Sequence, residues 1–219
     1  MNILLISYLI VSFACLICVF IGYRLLHPHN KLFITLCYLF FIVFFFGRVY
    51  EVSRIVLGLN IYNTFELGFL GIVGAFSFLL SSNFSIKGET KIKASKKVFI
   101  TSLLFSIIIG LMYILILYGK VNLQEKITDF IMILYASSNI YYFMRHLLLI
   151  KDDKTGLLKS LKIYNILGIG FSILIDLLLL SFAYNLYDNI LVISIFMGAD
   201  LLMMMLTFKK GVEECKLMN

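Results

Sequence analysis

Arg48, Glu51 and Arg54 stand three residues apart in a stretch that is otherwise almost entirely apolar. On a helix, the i, i+3, i+6 spacing puts them on one face. An ionisable side chain at the centre of a membrane helix costs about 2.5–3.5 kcal/mol on insertion scales, so charges kept there are the first candidates for function. Carboxylates recur further along. Glu66 opens the third apolar block and Asp129 the fifth, Asp176 sits inside Ile-Asp-Leu-Leu-Leu-Leu, and Asp200 follows Gly198 and Ala199. The candidate ligand-binding pocket is therefore Arg48, Glu51, Arg54, Glu66, Asp176 and Asp200. Cations and carboxylates meeting in one outward-facing cavity would hold a polar ligand or an ion. The competing reading makes them structural ion pairs, Arg48 with Glu51 and Arg54 with Glu66 or an outer headgroup. Asp176 has no cation within reach on its own helix, so it needs a partner elsewhere, a proton or water. A proton relay through Asp176 and Asp200 is a further alternative.

No catalytic constellation accompanies these charges, and the expectation is no catalytic residue, no metal and no cofactor. His27, His29 and His146 fall at segment ends rather than in facing pairs for haem, and no HExxH occurs. No serine lies in a GxSxG setting. Lys209 and Lys210 only end the last apolar block, so retinal attachment is not expected. Asp176 and Asp200 meet the two-carboxylate demand of an intramembrane aspartyl protease only loosely, without the usual flanking motifs. Cys15 and Cys18 form a CxxC inside an apolar block, where thiolate chemistry lacks the polar, accessible setting it needs. They are expected to be packing residues, as free Cys commonly is.

The elements that carry these residues follow from composition. Of 219 residues 62% are hydrophobic and 14% charged, against about 25% charged in a soluble domain. The apolar residues come in continuous blocks of the length that crosses about 30 Å of hydrocarbon, which predicts helices, since a helix satisfies its own backbone in lipid. Seven blocks are expected at about 2–23, 32–57, 64–82, 98–118, 127–149, 159–182 and 190–208. The fold class is an all-α polytopic bundle: one domain over 1–208 and a short cytoplasmic tail over 209–219.

The net charge of +7 does not point to nucleic acid, because the cations sit in short links. Arg24 and Lys31, the five lysines from Lys87 to Lys97, Arg145 with Lys151, Lys154, Lys159 and Lys162, and Lys209, Lys210 and Lys216 all fall on one side of the alternating chain. Lys120, Lys126 and the membrane-embedded Arg48 and Arg54 belong to the other. By the positive-inside rule this predicts an N-terminus outside and a C-terminus in the cytoplasm of a multi-pass cell-membrane protein. A rim of this kind would attract anionic headgroups at the cytoplasmic face. The first block lacks a preceding positive region and is expected to stay as a helix rather than be cleaved. Gly68, Gly71, Gly74 and Ala75 give the third helix a smooth stripe for close packing, as Gly168 and Gly170 do on the sixth. Tyr135, Asn139, Tyr141 and Tyr142 form a polar ridge on the fifth, suited to interhelical hydrogen bonds or to a ligand.

Seven spans, N-out and C-in, with minimal loops and Glu66-Leu67-Gly68-Phe69-Leu70-Gly71-Ile72 opening the third helix, resemble the seven-transmembrane N-terminal sensor region of bacterial and archaeal histidine kinases. The likeness would cover nearly the whole chain. Only a short tail follows Lys210, so the resemblance implies a sensor module that signals through a separate cytoplasmic partner, or one that no longer signals. The expected function is accordingly a small sensor or accessory membrane protein, with a protein partner or homo-oligomer in prospect. The alternatives are an ion or small-solute transporter using the intramembrane Asp residues, and an enzyme acting on lipid, with no enzymatic activity the favoured expectation.

Overall fold

The computed structural model describes residues 3–26, 32–58, 67–89, 95–119, 123–150 and 161–217, the side chains of 26, 67, 86–89 and 214–217 apart. Eight helical segments occur among them. They are α1 (Ile3–Leu26), α2 (Leu32–Val56), α3 (Leu67–Glu89), α4 (Lys96–Gly110), α5 (Met112–Leu117), α6 (Leu123–Leu149), α7 (Lys162–Ala183) and α8 (Tyr187–Leu217). No strand occurs among the described residues. α4 and α5 form one rod interrupted at Leu111, whose N–H still bonds the Ile107 carbonyl. Local sequence accounts for several ends. Ser95 caps α4 by accepting from the Val98 N–H at 3.3 Å, filling one of the donors a helix leaves open. α7 ends on Asn185 in the left-handed region (φ 56). There the Asn185 N–H bonds the Phe182 carbonyl and the Leu186 N–H the Ser181 carbonyl, the paired bonds of a Schellman cap, which Asn tolerates.

Six helices are long and apolar enough to cross a membrane, which makes this a multi-pass membrane protein. The expected fifth span, about 127–149, lies in α6, and α6 is not one of the six. Its polar ridge, together with Glu125, Lys126, Asp129 and Arg145, lowers its apolar content. Two expected ends also move. α3 continues past 82 to Glu89, and α8 continues past 208 to Leu217 through residues expected to be tail. Ser82 and Ser85 hydrogen-bond back to the Leu79 and Ser82 carbonyls, so polar side chains are accommodated on the helix itself. Gly211 and Val212 are buried, so α8 goes on packing.

Six of the helices close a ring: α1 against α2, α2 against α3, α3 against α6, α6 against α7, α7 against α8, and α8 back on α1. α4 lies outside the ring on α6, and α5 bridges α6 and α7. Side-chain register gives directions. Tyr8 meets Arg48 while Gly22 meets Tyr38, so α1 and α2 are antiparallel. Cys18 donates to the Leu201 carbonyl and Gly198 faces Ala14, so α1 and α8 are parallel. α2 and α3 approach closely: a Cβ on Gly71 would stand 2.9 Å from the Gly47 Cα. The expected glycine stripe is thus a contact between two backbones, the packing that small residues permit in lipid.

Aromatic rings fill the middle of the ring of helices. Phe171 of α7 lies edge-on to Phe40 and Phe44 of α2 (5.7 and 5.6 Å between centroids) and stacks on Phe76 of α3 (5.7 Å). All four are fully buried. Because they come from opposite sides of the bundle, they form a belt across its centre.

Candidate functional site

Phe44 belongs to the belt, and Arg48 follows it by one helical turn on the same face of α2. Arg48 is therefore carried into the interior at one end of the bundle, with only 5% of its surface exposed. Its guanidinium carbon lies 5.0 Å from the Phe44 ring centroid and 5.4 Å from that of Tyr8 on α1. The two rings offer it π faces, an arrangement that contributes about 2 kcal/mol when desolvated. That falls short of the several kcal/mol per ion that burying a charge costs. Its Nε is buried with no hydrogen-bond partner, and no ion pair to Arg48 occurs among the described residues.

Glu51 pairs with Arg54 instead, Oε2 to Nη1 at 3.5 Å. Space for this comes from α3: a Cβ on Gly68 would collide with Glu51 Oε1. The carboxylate so lies against the first turn of α3, where the helix dipole favours negative charge. Gly68 is thus a glycine because Glu51 crosses it. Of the expected ion pairs, Arg48 with Glu51 is replaced by Arg54 with Glu51. Glu66 lies outside the described residues. Arg48, Arg54 and Glu51 with the Tyr8 phenol in their field leave one positive charge in excess over the carboxylates described there.

Asp176 is placed elsewhere. It belongs to a fully buried stripe of α7 with Asn165, Ser172 and Ala183, and Ala183 packs on Ile133 of α6 and Ile116 of α5. Asp176 therefore faces the α6 seam. It is fully buried, and neither carboxylate oxygen has a hydrogen-bond partner. Asp200 lies opposite Gly170, on another side of α7, half-buried with Oδ2 unpartnered. The structure gathers Arg48, Glu51 and Arg54 into one cluster and sets Asp176 and Asp200 apart from it and from each other.

On the far side of the aromatic belt the buried groups among the described residues are polar but uncharged. Cys37 Sγ and Tyr164 Oη meet at 3.5 Å. Asn83 donates to Asn139 Oδ1 at 3.2 Å, and Asn139 donates to the Phe76 and Tyr135 carbonyls at 3.4 and 3.0 Å. So one member of the expected α6 ridge makes interhelical hydrogen bonds. Asn83 Oδ1, His146 Nδ1 and both amide atoms of Asn165 are buried without partners. Cys15, Cys18 and Cys37 are buried free thiols. Among the described residues no group of three His, Cys, Asp or Glu could hold a metal ion.

Residue type and spacing flagged Arg48 and Asp176 but missed Tyr8, Asn83 and Asn165. An isolated Tyr in an apolar block, or an Asn beyond an expected helix end, carries no spacing signal. No protein-family model, no curated protein and no solved structure matches this chain, so the arrangement of its own side chains is what bears on its function.

Proposed function

We propose that this chain is a small seven-span sensor or accessory protein of the cell membrane, N-terminus outside, which binds a ligand in its outer half and passes helix movement to a cytoplasmic partner. α6 counts as the seventh span because it stands in the ring between α3 and α7, is 27 residues long, and buries its polar residues Thr128 and Asn139 rather than presenting them to lipid. The single observation that carries the reading is the buried Arg48, without an ion-pair partner among the described residues, at the end of the bundle that the charge pattern assigns to the outside, with an aromatic belt packed behind it. A polar site sealed from one side suits reception of a ligand better than its passage.

Spin labels at Leu32→Cys and Lys210→Cys, near the inner ends of α2 and α8, test the coupling. Arg48→Gln shifts the distance distribution between them if the outer site is linked to the inner face. Identical distributions in wild type and variant contradict a sensor. A second reading, a cation- or proton-binding transporter, is favoured by one observation, the fully buried Asp176 with both oxygens unpartnered. Ion- or pH-driven uptake into proteoliposomes that is lost in Asp176→Asn would select it over the sensor.

A further inference from the structure

We propose that the Arg48 site takes an oxyanion, a carboxylate or phosphate group whose oxygens meet the guanidinium and whose apolar part lies among the Tyr8 and Phe44 rings. The inference deepens the outer-site reading and rests on it. Arginine stays cationic throughout the physiological range, so Arg48 brings a permanent positive charge into the interior. The carboxylate nearest along its helix, Glu51, is drawn across Gly68 toward Arg54. Asp176 faces the α6 seam and Asp200 faces Gly170, so among the described residues no further carboxylate supplies a counter-charge. A neutral ligand would leave the charge uncompensated and a cation would add to it, which leaves an anion. The planar fork of donors on a guanidinium matches the paired oxygens of carboxylate and phosphate. The Tyr8 and Phe44 rings beside the guanidinium would give the apolar part of such an anion a surface to rest on.

Two sources carry this chemistry, a soluble anion and an anionic lipid headgroup of the outer leaflet. Full-length protein in nanodiscs of phosphatidylcholine alone is titrated with butyrate and with inorganic phosphate, following its unfolding temperature. A parallel set contains phosphatidylglycerol and no added anion. A saturable rise with butyrate or phosphate that is at least tenfold weaker in affinity in Arg48→Gln, and retained when the exposed Lys162 of α7 is changed in Lys162→Gln, establishes a soluble oxyanion. A rise only in phosphatidylglycerol discs, lost in Arg48→Gln, establishes the headgroup. Arg48→Lys keeps the charge without the fork and retains part of either response, which keeps the test valid if Arg48→Gln does not fold. No rise of either kind in the wild type, or one equal in wild type and Arg48→Gln, overturns the oxyanion. The spin-label comparison judges the sensor reading separately, since it needs no ligand.

Discussion

At the Arg48 end the interior of the ring carries formal charge, whereas at the Tyr164 end the buried polar groups among the described residues are neutral. The charged end holds Arg48, Arg54 and Glu51 with aromatic neighbours, and one cation there has no described counter-charge. The neutral end holds Cys37, Ser82, Asn83, Asn139, Tyr164 and Asn165, several of them bonded to one another or to backbone carbonyls. The difference is one of charge, since buried atoms without partners occur at both ends, Arg48 Nε at one and Asn83 Oδ1, His146 Nδ1 and the Asn165 amide at the other. An amide or hydroxyl in lipid finds a carbonyl or a second amide on the next helix. A guanidinium needs a counter-ion or water, so placing one deep in a helix bundle commits the site to something from outside. The Phe belt keeps the two ends distinct.

The sharpest way to break that distinction is to remove the belt. Phe171→Ala deletes the ring that Phe40, Phe44 and Phe76 all touch and should cost about 3–5 kcal/mol, read as a large fall in unfolding temperature in nanodiscs. Gly71→Leu comes next. Its Cβ alone would stand 2.9 Å from the Gly47 Cα, so α2 and α3 must separate, at about 1–3 kcal/mol. The shift should also part Glu51 from Gly68 and weaken anion binding at Arg48. Gly74→Ala, whose Cβ would rest 3.4 Å from Val43 Cγ1, is the control that should leave both unchanged. Asn139→Leu at the neutral end should lower stability by about 1–2 kcal/mol, while leaving the Arg48 response intact. Asn165→Leu should have the smallest effect. Its amide atoms have no protein partner, so the unfolding temperature should hold or rise slightly. A marked fall would mean that Asn165 is tied to something bound.

Much of the fold was legible because the signals are periodic and local. Apolar block length located most helix ends within a few residues, though not those of α3 and α8, which run on to Glu89 and Leu217; the glycines of the third block marked a close contact, and the i, i+3, i+6 charges did share a cluster. Ring order was not legible. α1 lies beside α8 and α4 falls outside the ring, yet α4 is as apolar as its neighbours, with Phe99, Leu103, Leu104, Ile107 and Ile108 exposed on its surface. Lipid solvates such a helix as well as protein does, so hydropathy cannot distinguish a ring member from an outlier. The pairing of charges was also hidden. Glu51 has Arg48 and Arg54 at equal sequence distance, and the choice between them follows from where Gly68 leaves room. Asp176 was visible as a charge in an apolar run, but not the face it occupies, because that depends on α6 and α5 packing over it.

If the proposed orientation holds and the aromatic belt separates the two ends, the Arg48 position can be reached from the outer face only. Arg48→Cys, in a background lacking the four natural cysteines, can be probed with a small membrane-impermeant thiol reagent in right-side-out and inside-out vesicles. Labelling is expected in right-side-out vesicles alone, with inside-out labelling appearing once Phe171→Ala is added. Labelling confined to inside-out vesicles of the single variant, or in neither preparation, would contradict it.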